Sequence, residues 1–169
     1  NGSIGMFGAS YLGAVQFGVA DAEQEALKAL NPQFMAGDMW RQGYYANGVF
    51  SLALTFSWLV MEVGSRTSEA VLMKTLDLKG VLNSRPLVRL DERIGPETPA
   101  FRDYVTHWYR DSYWQRRDYR PRLKRCRRPV LLTGGWYDYY PNETFRNYGA
   151  LLDGDAPEEI KRQHRVIVG

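Results

Sequence analysis

The chain has 169 residues, 44% of them hydrophobic and 24% charged, which is a soluble globular mix with enough length for a real core. Its single cysteine, Cys126, excludes an internal disulfide and fits a reducing compartment, so a cytoplasmic location is expected. The longest apolar run, residues 50–61, is too short for the ~20 residues a bilayer span needs, so no membrane partner is expected. The chain starts without methionine, which leaves an upstream signal segment open.

In chain order, residues 4–7 are a short apolar run that reads as a buried strand. Leu12 to Ala20 reads as a helix rich in small residues, which allow close packing. Residues 21–30 have high helix propensity, Asn31-Pro32 marks a break, and 27–35 fits either helix or strand. The texture changes near Asp38. Residues 49–63 are apolar nearly all round, as a buried helix is, and Val71, Leu72, Leu76 and Leu78 place a second helix over 68–82. A loop with three prolines follows, and Thr98-Pro99 reads as a cap and first helical residue. Phe101, Tyr104, Val105 and Trp108 then share one helix face. The texture changes back at Pro129. "PVLLT" is strand-like, "GGWYD" turns, Asn142 to Leu152 is helical, and "RVIVG" is a last strand. The order is α/β with an insertion: core over 1–37, a helical insert over 38–125, core again over 126–169.

The stretch "IGMFGASYLGAVQFG" carries the chemistry. Its glycines, at 5, 8, 13 and 18, miss the G-x-G-x-x-G spacing of a dinucleotide site, and no Lys-Ser/Thr follows as a P-loop requires. Two readings remain. In one, Ser10 merely caps a helix. In the other it is the tip of a nucleophile elbow, a tight strand-to-helix turn whose flanks must be small, as Gly8, Ala9 and Gly13 are. An elbow serine gains the positive end of the helix and a free backbone N–H, that of Tyr11, for an oxyanion. A serine nucleophile needs a base, and the base an orienting carboxylate. Asp138 ends "PVLLTGGWYD", just past the carboxyl end of a predicted strand, where open α/β sheets carry their sites. A surface turn aspartate is the alternative.

"GMFGASYLG" together with "PVLLTGGWYD" resembles the cocaine-esterase and X-prolyl dipeptidyl-peptidase family of serine hydrolases. "FRDYVTHWYRDSYWQRR" and "SRPLVRLDE" resemble that family's cap segment and the stretch before it. The resemblance implies a partial α/β-hydrolase core with a helical cap inserted between nucleophile and acid. It implies Ser10 as nucleophile, Asp138 as acid and the Tyr11 N–H as half of the oxyanion hole. The substrate is then a small-molecule ester or an X-Pro-type peptide or amide, and no cofactor is needed. The family's second oxyanion donor lies upstream of the elbow, and its histidine follows the last strand. On this reading the sequence is a fragment, and the expectation is that residues 1–169 alone are inactive.

Neither histidine fits the base. His164 precedes the strand "RVIVG" and so sits at its amino end, a solvated residue of "KRQHR"; His107 belongs to the cap. Trp136, two residues before Asp138, either lines an acyl pocket or packs in the core. "RRDYRPRLKRCRR", residues 116–128, holds eight Lys/Arg and one Asp, most of the net charge of +3 and more. It reads as a solvated connector; as an alternative function, it makes the chain a non-catalytic module for an anionic partner. No nucleic-acid motif accompanies it. Cys126 sits among these cations, which favour its thiolate. The scattered histidines and cysteine form no metal-ligand spacing, so no metal is expected.

Overall fold

The computed structural model describes residues 2–64, 74–95 and 97–169, without the side chains of 61–64. In chain order the elements are β1 (Ile4–Ala9), α1 (Tyr11–Gly18), β2 (Leu27–Gln33), β3 (Tyr45–Ala46), β4 (Val49–Phe50), α2 (Leu52–Phe56), α3 (Leu78–Asn83), α4 (Pro99–Thr106), α5 (Ser112–Gln115), α6 (Arg120–Lys124), β5 (Leu131–Gly134), α7 (Pro141–Leu152), α8 (Glu158–Lys161) and β6 (Arg165–Val168). Asn1–Gly43 and Trp114–Gly169 form one compact unit and Tyr44–Tyr113 a second. The sheet unit therefore claims 38–43 and 114–125, which the sequence texture assigns to the insert. The reason is burial: Leu123 joins the core of the sheet unit, and Asp38 and Trp114 are fully buried.

The first unit is an α/β layer. Its four strands run parallel in the order β1-β2-β5-β6. Ala14 and Phe17 of α1, Leu27 and Leu30 of β2, Leu123, Val130, Leu132 and Leu151 form the shared core. The segment that fits either helix or strand is β2, and residues 21–26 form turns instead of the helix their propensity suggests. Pro32 does not break the chain; it lies inside β2, opposite Gly8. A proline lacks the N–H a central strand needs, and side chains repair the ladder around it. The Asn31 amide donates to the Leu131 carbonyl at 2.6 Å and to Thr133 Oγ1 at 3.2 Å. Buried Gln16 accepts the Asn31 N–H at 2.9 Å and donates to the Leu12 carbonyl at 3.0 Å, tying α1 to β2.

The basic stretch is solvated in part, with Arg116, Arg122, Lys124, Arg125 and Arg127 exposed, but several of its arginines also tie the fold together. Arg122 and Arg125 pair with Asp21 at 2.8 and 2.6 Å, and they hold its carboxyl below the usual range against the opposing effect of burial. Arg128 donates to the carbonyls of Ala20, Ala22 and Leu27 at 2.7, 2.5 and 3.2 Å, closing the turns that lead into β2. Arg120 reaches Asp38 and Asp118, each at 2.7 Å. Cys126 is buried, and burial pushes its thiol up; the expectation of a favoured thiolate fails because desolvation outweighs the Arg128 charge.

In the second unit, β3 and β4 pair antiparallel around Asn47-Gly48, whose φ values of 51° and 84° are those of a tight two-residue hairpin turn. Residues 52–64 are helical as expected, α over Leu52–Phe56 and π over Ser57–Gly64, but β4 takes the start of the segment and the helix is not buried all round, since Ala53 and Trp58 are exposed. Phe56, Leu59, Val60, Leu90 and Phe101 make this unit's own core. The helix expected over 68–82 falls partly on residues 65–73, outside the described residues; α3 holds its end. Helix α4 starts at Pro99 as read, but it ends at Thr106, so Trp108 lies beyond it and is exposed. Buried Asp91 accepts the Thr98 N–H at 2.6 Å and pairs with Arg102 at 2.9 Å, so the cap residue is itself held by a carboxylate. Among the described residues no helix is long and apolar enough to cross a membrane.

Candidate active site

Ser10 stands alone between the last residue of β1 and the first of α1, at φ 55° and ψ −123°. An L-residue rarely takes this backbone, and the turn is correspondingly sharp. The serine side chain makes no hydrogen bond to the helix it precedes, so it does not serve as a cap. Its backbone is fixed on both sides: the Ser10 N–H donates to the Gln33 carbonyl at 2.9 Å, and the N–H groups of Gly13 and Ala14 donate to its carbonyl at 2.8 and 3.0 Å. The side chain is left exposed at the carboxyl end of the sheet.

The small residues around it have separate reasons. A Cβ on Gly8 would lie 2.5 Å from Leu12 Cβ, the first turn of α1. A Cβ on Gly13 would meet the Gln33 carbonyl at 3.1 Å and Met35 Cβ at 3.2 Å. Glycine is thus needed three positions after the serine, where α1 crosses β2, and Leu12 is free to point outward, exposed. Tyr11 opens α1, so its N–H belongs to the first turn, which has no preceding helical carbonyl to satisfy it.

Asp138 lies four residues beyond the end of β5, in the turn that leads into α7. The N–H groups of Tyr139 and Tyr140 donate to its carboxylate. Burial nonetheless pushes its pKa above the usual value, the larger of the opposing effects. Its Oδ2 is buried with no hydrogen-bond partner among the described residues. An orphaned carboxylate oxygen of this kind is rare, because desolvation without a compensating bond is costly. Ser10 and Asp138 are thus at the same end of the sheet, with β2 between their strands. The backbone leaving β6 runs beside the Asp138 turn: the Trp136 N–H donates to the Gly169 carbonyl at 3.0 Å.

His164 is at the amino end of β6, the wrong end of the sheet, and the expectation that it is solvated is corrected: it is 1% exposed, with neither ring nitrogen hydrogen-bonded among the described residues. Burial lowers its pKa. His107, in the second unit, bonds Asp111 through Nδ1 and stacks on Tyr113 with ring centroids 4.3 Å apart. Trp136 does not pack in the core. It is 61% exposed, its ring 6.0 Å from that of Phe145. Sequence reasoning passed over the buried cluster behind the Asp138 turn, in which Glu143 accepts the Asp38 N–H at 2.9 Å and Asp38 pairs with Arg120. Two acids spaced a hundred residues apart give no local signal.

Comparison with known proteins gives the family. The family model for X-Pro dipeptidyl-peptidase, family S15, matches residues 1–168. The chain belongs to this family. Cocaine esterase of Rhodococcus sp. (strain MB1 Bresler) is 29% identical over 185 residues, covering 100% of this chain and 31% of that protein. The chain therefore spans about a third of the length of that curated relative. The crystal structure of an aminopeptidase from the marine sediment archaeon Thaumarchaeota archaeon matches with a TM-score of 0.72 at 20% identity, over 100% of this chain and 28% of that one. The S15 chain thus has the fold read from its sequence, a partial α/β-hydrolase core.

Proposed function

We propose that this chain carries the nucleophile and the acid of a serine hydrolase that cleaves an ester or an X-Pro-type peptide or amide bond. The observation that carries the reading is the backbone of Ser10. A serine held at φ 55° and ψ −123°, exposed, and making no cap bond has no structural use for its hydroxyl. Membership of the S15 family and the likeness to a cocaine esterase support the same chemistry.

In the proposed cycle Ser10 Oγ attacks the substrate carbonyl while a base takes its proton. The Tyr11 N–H, at the positive end of α1, stabilises the oxyanion that forms. The base returns the proton to the leaving alcohol or amine, and water then releases the acyl group from Ser10 by the same steps. Asp138 orients the base and stabilises its protonated form through the buried Oδ2 that has no partner among the described residues. The base itself is proposed to be a histidine on the chain that follows Gly169, since the backbone leaving β6 lies beside the Asp138 turn. On that proposal residues 1–169 by themselves have no turnover.

The test is a fluorophosphonate probe with peptide mapping on the protein that carries this chain, together with p-nitrophenyl acetate and alanyl-prolyl-p-nitroanilide as substrates. Labelling of Ser10 and loss of both labelling and turnover in Ser10→Ala are expected. Turnover by Ser10→Ala within tenfold of the unmodified protein would sink the reading.

A further inference from the structure

Phe34 is the residue immediately after β2, and its backbone is a genuine outlier, with φ at 48°. A bulky residue in the left-handed region carries strain, and glycine or asparagine is the usual occupant. Two ordinary reasons for tolerating an aromatic there are missing. The ring does not serve the core: Phe34 is 36% exposed and absent from the buried cluster that its neighbour Met35 joins. The backbone does not need it either, since the bond that fixes this bend is the Phe34 N–H to the Thr133 carbonyl at 2.9 Å, which any non-proline residue makes.

Its place in the sheet gives the reason. The strand order is β1-β2-β5-β6, so the residue that leaves β2 stands between the two strands that end in Ser10 and in the Asp138 turn. Gln33, the residue before it, accepts the Ser10 N–H. On the other side the ring reaches Gly135: a Cβ added there would lie 3.7 Å from Phe34 Cε1. An apolar surface is thus held, at a cost in backbone strain, between the nucleophile's turn and the acid's turn, with its ring part-open to solvent. Strain kept at such a place points to function.

We propose that Phe34 is a specificity-determining residue: its ring is an apolar wall for the acyl group bonded to the substrate's reacting carbonyl, and it favours bulky apolar groups over small ones. This rests on the Ser10 reading above and adds to it the residue that selects the substrate's shape. Filling or emptying a hydrophobic contact of this size changes discrimination between substrates by about ten- to two-hundredfold.

The experiment uses the protein that carries this chain and its Phe34→Gly, Phe34→Asn and Phe34→Leu variants. kcat/KM is measured for p-nitrophenyl acetate and p-nitrophenyl benzoate, and Ser10 is labelled with a fluorophosphonate in each. Glycine and asparagine accept the backbone, so both variants are expected to melt no lower than the unmodified protein. Both are expected to lose about tenfold or more in the benzoate-to-acetate ratio of kcat/KM, with Phe34→Leu between. Ser10 labelled in all variants with an unchanged ratio overturns the role of Phe34 alone, as does an equal loss on both esters. Ser10 unlabelled in the unmodified protein overturns the catalytic reading, and the role of Phe34 falls with it.

Discussion

Replacing Ser10 by glycine should make the protein more stable and inactive. At φ 55° and ψ −123° an L-residue sits in the mirror image of the extended region, which is open to glycine and strained for serine. A residue held in such a region costs about 1–3 kcal/mol. No cap bond is lost with the side chain, because none is made. Against the relief stands the greater freedom glycine gives the unfolded chain, about 0.4–1 kcal/mol. The net is a gain of about 0.5–2 kcal/mol. For a cooperative unit of this size that is a rise in melting temperature of about 2–6 °C. Ser10→Ala keeps the Cβ and hence the strain, so it should melt close to the unmodified protein while losing activity equally. Calorimetry of the three proteins at neutral pH, with p-nitrophenyl acetate turnover alongside, separates the cases. A Ser10→Gly protein no more stable than Ser10→Ala would mean that the turn stores no strain, and the main argument for a functional serine would go with it.

Three further outcomes are expected. Arg120→Met removes the nearer of the two cations on the fully buried Asp38 carboxylate and leaves Arg41 at 3.9 Å, which should cost about 1.5–3 kcal/mol by urea unfolding; a loss under about 0.5 kcal/mol would show that the Arg120 contact adds nothing to stability. Asp138→Asn should cut kcat by about 10⁴-fold without lowering stability at neutral pH. The sign follows from the raised carboxyl: the folded state holds the Asp138 proton more tightly than the unfolded one, so stability falls as pH rises from 3.8 through the folded value, and an amide escapes that loss. A clear drop in melting temperature at pH 7 would contradict it. His164 is the opposite case. Its pKa is lowered by burial, so the stability present above the ordinary value of 6.5 is lost as pH falls towards the folded value. His164→Leu should flatten that part of the melting-temperature profile between pH 7 and 5, and an unchanged slope would place the acid sensitivity elsewhere.

Local chemistry made much of the molecule legible. The strands over 4–9, 131–134 and 165–168, the helix after Ser10 and the helix after Pro141 were marked by apolar runs, small residues and turn residues lying next to each other in the chain. Asn47-Gly48 carried an equally local signal for a hairpin that composition-level reading of an all-helical insert overrode. What failed were the segments whose structure depends on partners far away. Residues 27–33 are a strand because β1 and β5 flank them, and Pro32 is tolerated there because the Asn31 side-chain amide donates to the Leu131 carbonyl in place of the missing N–H.

The sequence by itself determined the α/β class and singled out Ser10 and Asp138 as candidates, because each is a pattern within about ten residues. Only the tertiary structure decided which charges and rings are available. It spent Arg120, Arg122, Arg125 and Arg128 on Asp38, Asp21 and backbone carbonyls, and buried His164 and Cys126. It also left Oδ2 of Asp138 unbonded among the described residues and brought Phe34 between the two turns. The physical reason is the same throughout. Propensity and turn chemistry act between neighbours in sequence, whereas desolvation and pairing depend on what the fold brings to the other side of a side chain.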